Sequence, residues 1–279
     1  MSRSTFHVDP AYQPAMREIG LDADTVFNSP DIKVWRSITE RDNATLDAML
    51  ADGTPLRWHV KRYRTTRRGM SPARDEVEGL RLLEANGIPT VKLVGFGHVP
   101  DGRSFIITED LSGFAAADQL IQSGGATFEA LCPATADLAG ALHDKALHHR
   151  DLYLCHFFAK VENGKVEIRL IDAGRVARLP RWPFGGRWIV KDLSQFWYSA
   201  QQLGVPEPAR RAWLERYARR RGLPSADPLR HAIERKANWI ARHDERLRAQ
   251  QPARNVSIPP PAPSPAVLGE TRSAQRELG

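Results

Sequence analysis

Apolar and polar positions alternate most clearly over Leu56-Arg57-Trp58-His59-Val60-Lys61-Arg62-Tyr63, the period of two that marks a strand with one wet face. Asp52-Gly53 just before it is a hairpin signal turning the chain back from Leu46 to Leu50, and Lys33 to Ile38 reads as an earlier strand. The pattern then changes period. Ser71 and Pro72 have the chemistry of a helix start, Asn86-Gly87 with Pro89 that of a helix end, and Val77, Leu80 and Leu83 recur on one face between them. Glu76 lies four residues before Leu80 and projects from the same side as that stripe, whereas Glu78 falls on another face. Two further strands, Val91 to Phe96 and Ser104 to Thr108, are joined around Asp101-Gly102.

Beyond them the chain reads as mostly helical. Phe128 to Lys145 is a long amphipathic helix running into His148-His149-Arg150-Asp151. Phe157 to Val161 and Val166 to Ile171 flank Asn163-Gly164, a strong hairpin signal that delivers Asp172-Ala173-Gly174. Helices are expected at about 190–203, 207–221 and 227–248. This order predicts an α+β fold of two lobes over a cleft: a strand-rich N-lobe over 26–110 and a helical C-lobe over 111–250. Residues 1–25 are expected to be a loose lead-in, and 251–279, with Ser-Ile-Pro-Pro-Pro-Ala-Pro-Ser-Pro, a disordered tail too poor in apolar residues to fold.

Composition narrows the function classes. No apolar run approaches the roughly 20 residues that span a bilayer, and the first residues carry no secretory h-region. Two cysteines, Cys132 and Cys155, are too few for a disulfide scaffold and suit a reduced, cytoplasmic protein. A formal charge of +7 calls for an anionic partner. The excess gathers in Arg57 to Arg68 and in the helix with Arg210, Arg211, Arg216, Arg219, Arg220 and Arg221. A solvated face is the plainer reading of each run. In the second, Trp213 and Tyr217 lie four apart, so an aromatic anchor on an anionic membrane surface is the sharper one. No nucleic-acid-binding motif accompanies the charge, and no nucleic acid is expected as a partner.

Three elements carry chemistry. Phosphoryl transfer needs a cation for the phosphates, carboxylates for Mg²⁺, and a base at the acceptor hydroxyl. His149-Arg150-Asp151 follows a long helix and offers Asp151 as that base. Leu170-Ile171-Asp172-Ala173-Gly174 sets a carboxylate at a strand end beside a sharp turn, which suits an oxygen-seeking Mg²⁺. Lys61 on the polar face of its strand and Glu76 on the next helix could pair to fix the α- and β-phosphates of ATP.

Together these elements resemble the protein-kinase-like superfamily, and more closely the lipopolysaccharide kinase family that phosphorylates Kdo or heptose in the inner core. The resemblance spans roughly residues 30 to 205. It is most specific over His149-Arg150-Asp151-Leu152-Tyr153-Leu154-Cys155-His156-Phe157-Phe158, and extends to Gly87-Ile88-Pro89-Thr90 and Lys191-Asp192-Leu193. It implies an ATP-dependent kinase acting on a sugar or glycolipid at the inner face of a membrane. Asp151 would be catalytic together with Arg150 and His149, Asp172 would bind Mg²⁺, and Lys61 and Glu76 would anchor phosphate. Thr108-Glu109-Asp110-Leu111 would be the connector at which Glu109 and Leu111 meet adenine, and Asp192 would hold the catalytic loop. His156 stands where protein kinases place a metal-binding Asn, so it is a candidate for the metal or a phosphate, although imidazole is a poor Mg²⁺ ligand. Ala173 replaces the aromatic of Asp-Phe-Gly, residues 36 to 50 contain no glycine, and no Ala-Pro-Glu follows Asp172. These departures weaken the protein-kinase reading more than the sugar-kinase one; a protein or small-molecule kinase with the same machinery is the alternative within enzymes, and a pseudokinase binding module the alternative from another class.

Overall fold

The computed structural model describes residues 3–64, 71–181 and 184–250. The expected tail, and Arg67 and Arg68 of the first basic run, lie outside the described residues. The fold is α+β and protein-kinase-like, and its described residues form two compact units. The first comprises 3–64, 71–77 and 92–112, and the second 78–91, 113–181 and 184–250.

The first unit is built on β1 (Thr5–Val8), α1 (Gln13–Glu18), β2 (Ile32–Ser37), β3 (Arg41–Met49) and β4 (Pro55–Tyr63). After the start of α2 (Pro72–Ala85) come β5 (Leu93–His98) and β6 (Ser104–Glu109). The strands form one antiparallel sheet in the order β1-β5-β6-β4-β3-β2. The turn signals act as expected: Gly53 and Gly102 take φ of 84° and 89°, which a side chain would resist. On β4, Trp58 and Val60 enter the core while Lys61 takes the opposite face.

Residues 1–25 are not a loose lead-in. Thr5–Val8 pairs with β5, and Met16, Leu21 and Ala23 are buried in one cluster with Leu46, Trp58 and Ile107. Four residues of strand and six of helix are too short to show a period, yet together they cover an edge that would otherwise expose pairing groups.

The second unit begins within α2, whose end is closed by Gly87 at φ 69° and a bond from Ile88 N–H to the Leu83 carbonyl. It continues with β7 (Ala115–Ala116), α3 (Ala117–Ser123), α4 (Phe128–Asp144), β8 (Leu147–His148), β9 (Phe157–Glu162), β10 (Lys165–Leu170) and β11 (Ala177–Arg178). Three helices follow: α5 (Gly186–Gln202), α6 (Glu207–Arg220) and α7 (Asp227–Gln250). Asn163 and Gly164, both at positive φ, close the β9–β10 hairpin. The helical core is aromatic: Phe196 of α5 stacks on Trp213 of α6 at 3.8 Å, and Phe157 meets Phe196 edge-on at 5.5 Å.

Trp213 and Tyr217 are 1% and 0% exposed, so they face α4 rather than a membrane. Trp213 donates its indole N–H to Thr135, and Tyr217 bonds His143. The N-lobe boundary also moves, because 78–91 join the second unit. A Cβ on Gly79 would sit 2.0 Å from the Ala173 carbonyl oxygen, and Thr90 donates to the Leu170 carbonyl at 2.7 Å. The tail of α2 is thus packed on the segment that leads through Asp172.

Candidate active site

A loop follows β8 and carries His149-Arg150-Asp151, and α5 holds it by its main chain. Asp192 is fully buried, and its two oxygens accept the amide N–H groups of His149 and Arg150, each at 2.7 Å. Burial opposes a charge there, but His143 and these amides outweigh it and hold the Asp192 carboxyl below the usual range. One turn on, Gln195 accepts from Leu152 N–H at 3.0 Å and donates to the Arg150 carbonyl at 2.9 Å. A further turn on, Ser199 accepts from Leu154 N–H at 3.0 Å. Residues 192, 195 and 199 share one helical face, so a single stripe fixes the loop over six residues. Of these, the sequence pointed to Asp192 alone. Polar side chains inside a buried apolar helix are the signal for Gln195 and Ser199, since such groups require partners.

The clamp places Arg150 at φ 69°, and Asp172 lies at φ 59°. Two of the four non-glycine residues at positive φ among the described residues therefore fall in this site, strain of the kind that functional loops keep. Asp151 uses Oδ1 for Arg175 at 3.0 Å and for the Gln195 amide at 3.5 Å. Its Oδ2 has no hydrogen-bond partner among the described residues, and its side chain is 25% exposed. One oxygen is oriented and the other is open, the state a base needs to receive an acceptor hydroxyl.

His149 is enclosed by the protein. It is 0% exposed, and Nε2–H donates to the Ile171 carbonyl at 3.1 Å, directly before Asp172. Burial pulls its pKa down, so the ring is neutral and serves to tie the two loops. The Arg150 guanidinium lies 4.6 Å over the Trp188 ring.

His156 falls between the Asp151 main chain and the Asp172 carboxylate. Its Nδ1 is 2.5 Å from the Asp151 carbonyl oxygen, which makes that nitrogen a donor, and Nε2 is 3.5 Å from Asp172 Oδ2. Burial pulls the imidazole down, but Cys155, Asp172 and the Asp151 carbonyl outweigh it and push its pKa up to about 10. With Nδ1 donating to the main chain and Nε2 turned toward Asp172, His156 is placed here as a partner for Asp172. Among the described residues no three His, Cys, Asp or Glu side chains form a metal cage. Asp172 alone suits Mg²⁺ arriving with nucleotide phosphates, because that ion keeps waters and takes one or two carboxylates. Bound there, it would neutralise phosphate charge.

In the first unit Lys61 and Glu76 meet as expected, Nζ to Oε1 at 2.5 Å. Glu76 is buried and gives its other oxygen to the Tyr63 hydroxyl, while the rival Glu78 is exposed. With both oxygens engaged, Glu76 fixes the ammonium on the wet face of β4. The connector is also pinned. Tyr12 donates to Glu109 at 2.5 Å, and Asp110 bonds His59 at 2.7 Å and Ser112 at 2.5 Å. The side chains of Glu109 and Asp110 thus have protein partners, and the Glu109 N–H donates to the Lys92 carbonyl at 3.0 Å.

The lipopolysaccharide kinase (Kdo/WaaP) family matches residues 34–217 of this chain. A lipopolysaccharide core heptose(I) kinase WaaP of Pseudomonas aeruginosa is 28% identical over 192 residues, 63% of this chain and 68% of that protein. The protein of the same name from Escherichia coli K12 is 29% identical over 172 residues, 56% of this chain and 63% of its own length. The chain therefore spans about two thirds of the length of these relatives. No helix among the described residues is long and apolar enough to cross a membrane. With a family match covering the pair Lys61–Glu76, the clamped loop of Asp151 and the Asp172 turn, the chain belongs to the lipopolysaccharide kinase (Kdo/WaaP) family and is a kinase.

Proposed function

We propose that the chain transfers the terminal phosphoryl group of ATP to a sugar hydroxyl of the lipopolysaccharide inner core, at the cytoplasmic face of the inner membrane. The observation that carries this is Asp151, oriented through Oδ1 with Oδ2 open, on a loop clamped by Asp192 and tied through His149 to the Asp172 segment. Asp151 takes the proton of the acceptor hydroxyl as that oxygen bonds to phosphorus and the bond to ADP breaks. Lys61, steadied by Glu76, holds the α- and β-phosphates, and the Glu109–Leu111 backbone receives adenine. Asp172 holds Mg²⁺ and His156 orients Asp172. The two relatives are both named heptose(I) kinases, which supports heptose ahead of Kdo as acceptor.

The test is incubation with Mg²⁺ and γ-labelled ATP, with and without dephosphorylated core glycolipid, beside Asp151→Asn. Label should enter the glycolipid with wild type and fall by at least about 10³-fold with the variant, while ATP binding persists. Equal labelling by the two proteins would remove Asp151 from its role.

A further inference from the structure

On α6 the cations singled out in the sequence meet carboxylates: Arg211 pairs with Glu207, Arg216 with Asp137, and Arg220 with Asp144, which also takes Arg221 just past the helix end. The last helix, α7, differs because its charges are sorted by face. Ile233, Ala237 and Ile240 are its buried stripe, and Asp244 accepts the Tyr198 hydroxyl of α5 at 2.6 Å. Its ion pairs join Arg230 to Asp227 and Glu234, and Arg248 to Asp244.

The outward face is uncompensated. At 3.6 residues per turn, the ionisable residues within about 60° of Trp239 around the axis are Arg235, Lys236, Arg242, His243 and Arg246. The four acids of the helix, Asp227, Glu234, Asp244 and Glu245, all fall more than about 100° away. Arg235, Lys236, Arg242 and Arg246 make no ion pair among the described residues. At the centre of the face Trp239 is 50% exposed, with Lys236 Nζ 3.7 Å over its ring and the His243 ring stacked on it at 5.2 Å.

A large aromatic held in water among cations, with every acid turned to the other side, is the composition of a helix lying in a membrane interface. There the indole sits at the level of the headgroups and the cations meet lipid phosphates. A second copy of this chain would bring the same charge to the same face, so self-association through it is repelled.

We propose that this face of α7 docks the protein on an anionic lipid bilayer, with Trp239 entering the interface and Arg235, Arg242 and Arg246 at the phosphates. The inference rests on the reading above only for its setting, a lipid-borne acceptor, and goes beyond it by naming the surface that meets the lipid.

The test is co-sedimentation of the full chain with vesicles of phosphatidylcholine alone or with about one third phosphatidylglycerol. Wild type should bind the anionic vesicles, bind the neutral ones at least about tenfold less, and release as salt is raised. Arg235→Gln with Arg242→Gln should lower partitioning about 25-fold, and Trp239→Ala about tenfold. Arg17→Gln with Lys33→Gln removes the same charge from exposed positions of the first unit and should change it less than twofold. Unfolding midpoints matched to wild type establish that the variants are folded, since all four positions replaced by Gln are exposed. No binding to anionic vesicles by wild type, or equal losses from the two double variants, overturns the docking face. Transfer to detergent-dispersed glycolipid in that case leaves the sugar-kinase reading standing, whereas vesicle binding without transfer to any acceptor overturns that reading and keeps the docking face.

Discussion

Replacing Asp192 by Asn tests whether the clamp is what shapes the catalytic loop. The carboxylate accepts two amide N–H groups at 2.7 Å and faces His143 Nε2 at 3.3 Å, all at full burial. Asparagine keeps one carbonyl oxygen and turns an NH₂ toward the other amide, so one donor loses its acceptor. The lost charge-assisted bond is worth about 1.5–3 kcal/mol and the stranded amide costs about 1–3 kcal/mol more. Together the change should destabilise by roughly 3–5 kcal/mol, comparable to breaking a buried charged pair. Urea unfolding followed by circular dichroism should show a lower midpoint with an unchanged slope. Transfer activity should fall with it, because Arg150 loses a restraint on its φ of 69°, while KM for ATP holds since Lys61 and Glu76 are untouched. A variant within about 0.5 kcal/mol of wild type, the ordinary range for surface substitutions, would refute the clamp.

Gly79→Ala sets two effects against each other. Alanine gains about 1 kcal/mol of helix propensity. Its Cβ would meet the Ala173 carbonyl oxygen at 2.0 Å, backbone that cannot rotate away. Overpacking at about 1–3 kcal/mol should win, lowering both the unfolding midpoint and kcat through Asp172, and a stabilised variant would refute the close approach. Glu76→Gln should weaken binding of a fluorescent ATP analogue and cost about 1–3 kcal/mol, because Lys61 and Tyr63 both bond this buried carboxylate; unchanged affinity would detach the pair from phosphate binding. Burial of His148 against Trp188 lowers its pKa from 6.5 to about 4, so the unfolded chain binds more protons between those values. Stability from this group is whole above pH 6.5 and falls as pH drops toward 4, by at most about 3 kcal/mol. His148→Phe should flatten that part of an unfolding-versus-pH curve, and an unchanged curve would place the titration elsewhere.

What the sequence disclosed was local chemistry. Asp52-Gly53 and Asn163-Gly164 fix turns within a few residues, and helical phase alone separates Glu76 from Glu78. The His-Arg-Asp loop and the Asp172 turn were legible because each is a short motif. What stayed hidden depends on the face an element turns inward. α6 carries arginines all along its length, and only the carboxylates Asp137 and Asp144 of α4 reveal that Trp213 and Tyr217 point into the core. A strand as short as Thr5–Val8 has no measurable period until β5 lies beside it. Gly79 did leave a trace, since a glycine inside a helix asks for a reason, but the reason lies across the fold at Ala173.

Because Asp192, Gln195 and Ser199 grip the loop through peptide groups, much of its shape is encoded in the helix beneath it. Evolution, or an engineer, can therefore vary what the loop presents to an acceptor while the position of Asp151 is inherited unchanged from α5.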